Sequence, residues 1–418
     1  MFFYYTKKNV KKFKNFPKNY IILSNFLIYY LKKKERDNYM KLKIQKGKFI
    51  RNIIIGVIAL IIVAFIINTA PGYKRNKFQN VINLVIGDEN VTEKLQKPIY
   101  LDENGVVYIS KEDIQKLLDK TFYYDTDENL LIATSEVTVA SMKLNEKEIK
   151  IDGSVFDTLY QAIEADNTVY VPIKKLETVY NIETSYLETE KIVIIDKLNK
   201  GMIKAECDTE TDIRFKPRAL SKKIGKLEIG NVVSAFYTTS KGWRLIRTED
   251  GLVGYVKANT LTNEYILRKD MEQEVQTQNI NISLKDGETI DVDSEKIVIQ
   301  DLLELTNDGI LIKNTETLKS SENTKVWANL KIGDVDLSSF DERTKTVKNI
   351  ASIARKDDIN GINIIADSID KNVERFIVEL APKLKERGIK ANLVINSNNG
   401  INTETYTGIV NYLITEVK

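Results

Sequence analysis

A charge-free apolar run from Ile53 to Ile67 is the feature that most limits what this chain can become. A helix rises about 1.5 Å per residue, so about 20 residues cross the hydrocarbon of a bilayer. Phe49 to Ala70 supplies that length, and Pro71-Gly72 ends it. Lys41, Lys43, Lys46, Lys48 and Arg51 precede the run, against Lys74, Arg75 and Lys77 after it. That bias keeps the N-terminus in the cytoplasm and sends the rest of the chain out. The run is longer than a signal-peptide core, and no small-x-small cleavage site follows it. The expectation is an uncleaved single-pass anchor at 49–70 in the cell membrane, with 1–48 cytoplasmic, a linker at 71–95 and extracellular domains beyond. A cleaved signal peptide is the competing reading. Tyr20 to Leu31 is apolar but too short to span. Met40, followed by Lys-Leu-Lys and the apolar run, reads as a normal start, so the protein is expected to begin there.

Composition removes whole classes of chemistry. The 418 residues contain no histidine, which excludes Ser-His-Asp and Cys-His catalysis, imidazole bases and histidine metal sites. The single cysteine, Cys207, forms no intramolecular disulfide and no cysteine-built zinc site. No metal and no cofactor are expected. Lys and Arg number 62 against 59 Asp and Glu, a net charge of +3. No basic excess marks a nucleic-acid binder. Catalysis, if present, must run on carboxylates, Lys, Tyr or Ser.

Residues 106–134 and 168–196 match without a gap at an offset of 62. Val107-Tyr108-Ile109-Ser110 answers Val169-Tyr170-Val171-Pro172, and Leu130-Leu131-Ile132 answers Ile192-Val193-Ile194. Each copy reads as a strand, a helix and two strands around an acidic turn, which is the mark of a repeated unit. The stretch TVYVPIKKLETVYNIETSYLETEKIVIID resembles the copper amine oxidase N-terminal-like domain of bacterial envelope proteins, over about residues 96–198. Without histidine the resemblance implies neither copper nor oxidase activity, and a structural or wall-adhesion module is expected.

Residues 202–268 carry short β runs broken by glycine turns, with Asp250-Gly251 as a tight hairpin. Asp212-Ile213-Arg214, Gly242-Trp243 and Gly251-Leu-Val-Gly-Tyr-Val256 occur in order, and they resemble the bacterial SH3 domain. The resemblance implies a small barrel that binds peptidoglycan or wall peptides. Trp243, Tyr237 and Tyr255 are the candidate aromatic face, with a core role for Trp243 as the competing reading.

From about residue 275 strands alternate with helices, the pattern of a parallel sheet. Expected are strands at Lys325–Leu330, Asn360–Asp367 and Ala391–Asn396, one starting at Tyr412, and helices at Asp341–Lys356, Val373–Leu384 and Thr403–Ile409. KVWANL, INGINIIADSID and FIVELAPKLKERGIKANLVIN resemble glycoside hydrolase family 18, in the branch with spore-cortex and wall enzymes. That family carries Asp-Gly-Ile-Asn-Ile-Asp-Phe-Glu on this strand. Its Glu is the acid, and the Asp two residues earlier orients the N-acetyl nucleophile. Gly361, Ile362, Asn363 and Ile364 agree, and Asn363 is a candidate binding residue. Asn360 replaces the first Asp, Ile365 the inner Asp, and Asp367 the acid. A residue displaced by about 1 Å can cost about 100-fold in rate. The resemblance further implies barrel strands beyond Lys418, and a half barrel leaves an open sheet edge.

The expectation is an α+β multi-domain chain: a transmembrane helix, a duplicated βαββ domain (96–198), an SH3-like β-barrel (202–268) and a partial (β/α) barrel (275–418). Its function is binding of wall glycan or peptide, with peptidoglycan or a related N-acetylglucosamine polymer as partner. The alternatives are a family 18 hydrolase acting in spore or wall turnover through Asp367, and a structural stalk.

Overall fold

The computed structural model describes residues 55–59, 78, 80–198, 202–266, 276–313, 320–321, 323–395 and 401–417. Residues 55–59 are helical. No helix among the described residues is long and apolar enough to cross a membrane. The start at Met40 and the rest of the 49–70 anchor lie outside them. Gly72–Lys418 form one unit of mixed helix and strand, described next.

The first described strand is β1 (Asn83–Ile86). The first copy of the repeat follows as β2 (Val107–Ser110), α1 (Lys111–Leu117), β3 (Tyr123–Asp125) and β4 (Leu130–Thr134). A meander of β5 (Val139–Lys143), β6 (Glu148–Ile151) and β7 (Ser154–Asp157) extends its hairpin. The second copy is β8 (Thr168–Pro172), a 3-10 turn, α2 (Glu177–Tyr180), β9 (Ile182–Leu187) and β10 (Ile192–Lys197). The copies meet through β2 and β8, where Ile109 lies opposite Val171 and Tyr108 opposite Pro172. Ile109 and Val171 occupy the same repeat position, so a local two-fold axis passes through the pair. The hairpins keep one register, with Tyr124 opposite Leu131 and Tyr186 opposite Val193. Both turn at a left-handed residue, Asn129 and Lys191, each at φ 54°.

Equivalent positions also pin flanking segments, by opposite charges. Asp113 accepts from the Gln96 and Lys97 amides at 2.6 and 3.1 Å, and Lys175 donates to the Glu146 and Glu148 carbonyls at 3.0 and 3.3 Å. Burial pulls the Lys175 amine down to about 8. Residues 83–95 are not the expected linker. β1 pairs parallel with β10, and the Leu84 amide donates to the Thr92 hydroxyl at 2.8 Å.

The second domain is β11 (Ile203–Cys207), β12 (Thr211–Arg214), β13 (Lys223–Leu227), β14 (Val232–Thr238), β15 (Trp243–Arg247), β16 (Val253–Lys257) and β17 (Leu261–Ile266). They form a nearly closed seven-stranded barrel-like sheet ordered β13-β12-β16-β15-β14-β11-β17. Gly251 turns the β15–β16 hairpin at φ 80°. Arg247 ties the barrel to the duplicated domain with two bonds of 2.7 and 2.6 Å to the Asp196 carboxylate.

The third domain has β18 (Gln278–Ile282), β19 (Thr289–Val292), β20 (Glu295–Thr306), β21 (Gly309–Ile312), β22 (Thr324–Ile332), α3 (Phe340–Lys356), β23 (Gly361–Ala366), α4 (Lys371–Lys385), β24 (Lys390–Ile395), α5 (Thr403–Tyr406) and β25 (Tyr412–Glu416). The helix expected at Thr403–Ile409 is a single turn, because Thr407 leaves helical geometry at ψ 126°. The sheet order is β18-β25-β24-β23-β22-β20-β19, with β21 on β20. The open edge expected at β25 is therefore covered, since β18 pairs parallel with it from Gln278–Tyr412 to Ile282–Glu416. That pairing satisfies a row of backbone groups that would otherwise template foreign strands.

Alternation along β23 sends Ile362, Ile364 and Ala366 to the helices, and Gly361, Asn363 and Ile365 to the opposite face. On that face the indole of Trp327 lies over Gly361, where a Cβ would come within 2.6 Å of the ring. Gly361→Ala is expected to cost about 1–3 kcal/mol through overpacking. Urea denaturation is the check, and an unchanged midpoint would refute the close contact.

The outer side of α4 does not face solvent: Arg375 to Leu384 are buried. The first domain lies on α4 and on the first turn of α3. Arg375, Glu379 and Lys383, one helical turn apart on α4, each meet the first domain. Arg375 pairs with Asp125 at 2.6 Å, Glu379 accepts from the Tyr123 hydroxyl at 2.6 Å, and Lys383 pairs with Asp152 at 2.5 Å. The Phe340 amide, at the start of α3, donates to the Glu128 carboxylate at 3.0 Å.

Candidate functional site

The family 18 resemblance points to the carboxyl end of the parallel strands. Asp367 follows β23 there and is exposed. Ile365, where that family keeps its second carboxylate, packs on a core containing Trp327, Val394 and Tyr412. Residues 283–288 leave the end of β18 and cross this face. The Asn329 amide donates to the Leu284 carbonyl at 2.8 Å, and the Gly287 amide to Ile299 at 2.9 Å. Leu284 is buried in the same core. Burial, then the Asp293 carboxylate that its hydroxyl meets, push the Tyr412 phenol up. Asp367 is exposed and Ile365 supplies no carboxylate two residues before it, so β23 lacks the pair that divides acid and nucleophile-orienting roles.

Asn363 is not at a surface. It is fully buried in a chain of amides across neighbouring strands. Asn392 donates to Asn363 at 2.9 Å, Asn363 to Asn329 at 3.0 Å, and Asn329 to the Asp301 carboxylate at 2.6 Å. The sequence carried a signal for it: one Asn inside each of three consecutive apolar strand runs, where a polar residue needs a partner.

The three aromatic candidates of the barrel separate. Trp243 is buried, with the Lys257 ammonium 4.4 Å from its ring centre. Tyr237 is 52% exposed, and Tyr255 is half-buried beside it. Their hydroxyls are 2.8 Å apart and their rings meet edge-on at 6.5 Å. Burial, the Tyr237 bond and the Asp88 charge from the first domain all push the Tyr255 phenol up. β14 and β16 hold this pair at the surface, with Asp88 supplied by the turn after β1. An exposed tyrosine pair offers ring faces and hydroxyl donors to a sugar or peptide.

Sequence reasoning missed the α4 stripe. Its charged residues stand at i, i+4 and i+8, a spacing that reads as a solvated helix face until a second sheet is placed on it. Among the described residues no cluster of three or more His, Cys, Asp or Glu could hold a metal ion. Compared with known proteins, the chain matches no family model and no curated protein.

Proposed function

We propose that this chain is a membrane-anchored envelope protein, with its folded domains outside the cell, that binds wall glycan or peptide without cleaving it. The duplicated domain, read as copper amine oxidase N-terminal-like, is the structural hub. The barrel, read as a bacterial SH3 domain, is the binder. The third domain, read as a degenerate family 18-like barrel, is a scaffold. The observation that carries the reading is the exposed Tyr237–Tyr255 pair. The absence of a carboxylate at Ile365 and the 283–288 crossing support a non-catalytic third domain.

Sedimentation with purified peptidoglycan tests the binding. Tyr237→Ala with Tyr255→Ala is expected to weaken it about 10-fold, as losing an aromatic anchor does. Undiminished binding would remove the pair from the interface. Point substitutions are the right tool, because deleting 96–198 also strips α4 of its cover. Turnover of an N-acetylglucosamine oligomer, abolished by Asp367→Ala, would overturn the non-catalytic part.

A further inference from the structure

Between the β5–β7 meander and the first half of α3 runs a trough that touches neither the tyrosine pair nor Asp367. Its two lobes hold about 290 and 370 Å³. Ser141, Lys150, Phe340 and Asp341 border both lobes, so the trough is continuous. Clefts of this size at domain junctions are common ligand sites.

Its unpaired charges are sorted along its length. Glu146, Glu148 and Lys143 border only one lobe, with Lys143 paired to Glu146 at 3.9 Å, and Lys348 borders only the other. Several lining groups are already engaged: Lys383 with Asp152, Glu379 with Arg343, and Glu128 with the Phe340 amide. Glu148, Lys150, Asp341 and Lys348 have no ion-pair partner among the described residues. Both walls carry the same polarity. On β6, Glu148 and Lys150 share a face about 7 Å apart. On α3, Asp341 and Lys348 share a face about 10 Å apart. Phe340, Val139 and Val347 supply apolar floor between them. Gly153, at φ 88°, leaves room for the Lys348 amine, which stands 2.8 Å from where a Cβ would be.

We propose that this trough binds a short zwitterionic peptide of about three residues, its ammonium toward Glu148 and its carboxylate toward Lys150 and Lys348. Three extended residues span about 10 Å, close to the rise from Asp341 to Lys348 along α3. A polyanion would meet Glu148, a polycation would meet Lys150 and Lys348, and a neutral glycan would leave both ends unsatisfied. The proposal stands apart from the wall-binding reading and does not rest on it.

Calorimetry on the full chain with trialanine, N-acetyl-trialanine and trialanine amide tests it. Each cap is expected to weaken binding about fivefold, the scale of one exposed ion pair. Lys150→Ala with Lys348→Ala should bind the acid and the amide alike. Glu148→Ala should bind the free and acetylated amines alike. All three side chains are exposed, so thermal unfolding should not move. Equal binding of the three peptides to the unmodified chain would overturn the proposal. So would no heat at millimolar peptide, or a charge preference that survives the substitutions.

Discussion

Glu379→Ala is expected to destabilise the chain by about 3–5 kcal/mol, because it strands a buried guanidinium. Arg343 is fully buried, and Glu379 is nearly so. The guanidinium meets the carboxylate at 3.0 and 3.1 Å, and donates to the Leu337 and Ser338 carbonyls and to the Tyr123 hydroxyl. Burial pushes the Glu379 carboxyl up, and Arg343 pulls it back. Ala removes the compensating charge and leaves the desolvated cation on neutral acceptors alone. Urea denaturation should show the loss as a lowered midpoint. Arg343→Met with Glu379→Leu should recover much of it, since an apolar pair of similar volume can replace a buried ion pair. A single Glu379→Ala within about 1 kcal/mol of the parent would mean that water reaches Arg343 and that the lock is open.

That lock explains which parts of the fold were legible in the sequence. The repeat was legible because its two copies carry one pattern at one offset, and hairpin register follows directly from that pattern. The barrel was legible through its glycine turns and alternation, and β22 to β24 through their unbroken apolar runs. Three things lay outside local pattern. The pairing of β18 with β25 joins residues from opposite ends of the third domain. The assignment of residues 83–95 to the first domain depends on a parallel partner about a hundred residues on. The cover of α4 depends on Tyr123, Asp125 and Asp152, none of which has a local signature of docking. Site residues divide the same way. A lone Trp or Asn in a short strand reads equally as core or contact, and only the third dimension put Trp243 and Asn363 inside and Tyr237 outside.

Asn363 allows the two roles of one residue to be separated by experiment. In a binding cleft, Asn363→Leu would cost affinity and leave stability nearly untouched. In the amide chain it removes a donor and an acceptor at once. The Asn329 carbonyl oxygen loses the bond of 3.0 Å and the Asn392 amide the bond of 2.9 Å, and both residues are buried. Each orphaned buried group costs about 1–3 kcal/mol, so Asn363→Leu should lower stability by about 4 kcal/mol. Leucine has the branching of asparagine but a larger volume, so overpacking adds to that loss. Asn363→Asp should fail as well: it still accepts from Asn392 but cannot donate to Asn329, and it places a charge in a dry row. Three leucines at 329, 363 and 392 should not return full stability, because Asn329 also holds the Leu284 carbonyl and the Asp301 carboxylate. The amide row thus joins the sheet to the segment that crosses its face. A Leu variant of normal stability and reduced glycan binding would instead make Asn363 a contact residue and the crossing segment a lid that opens.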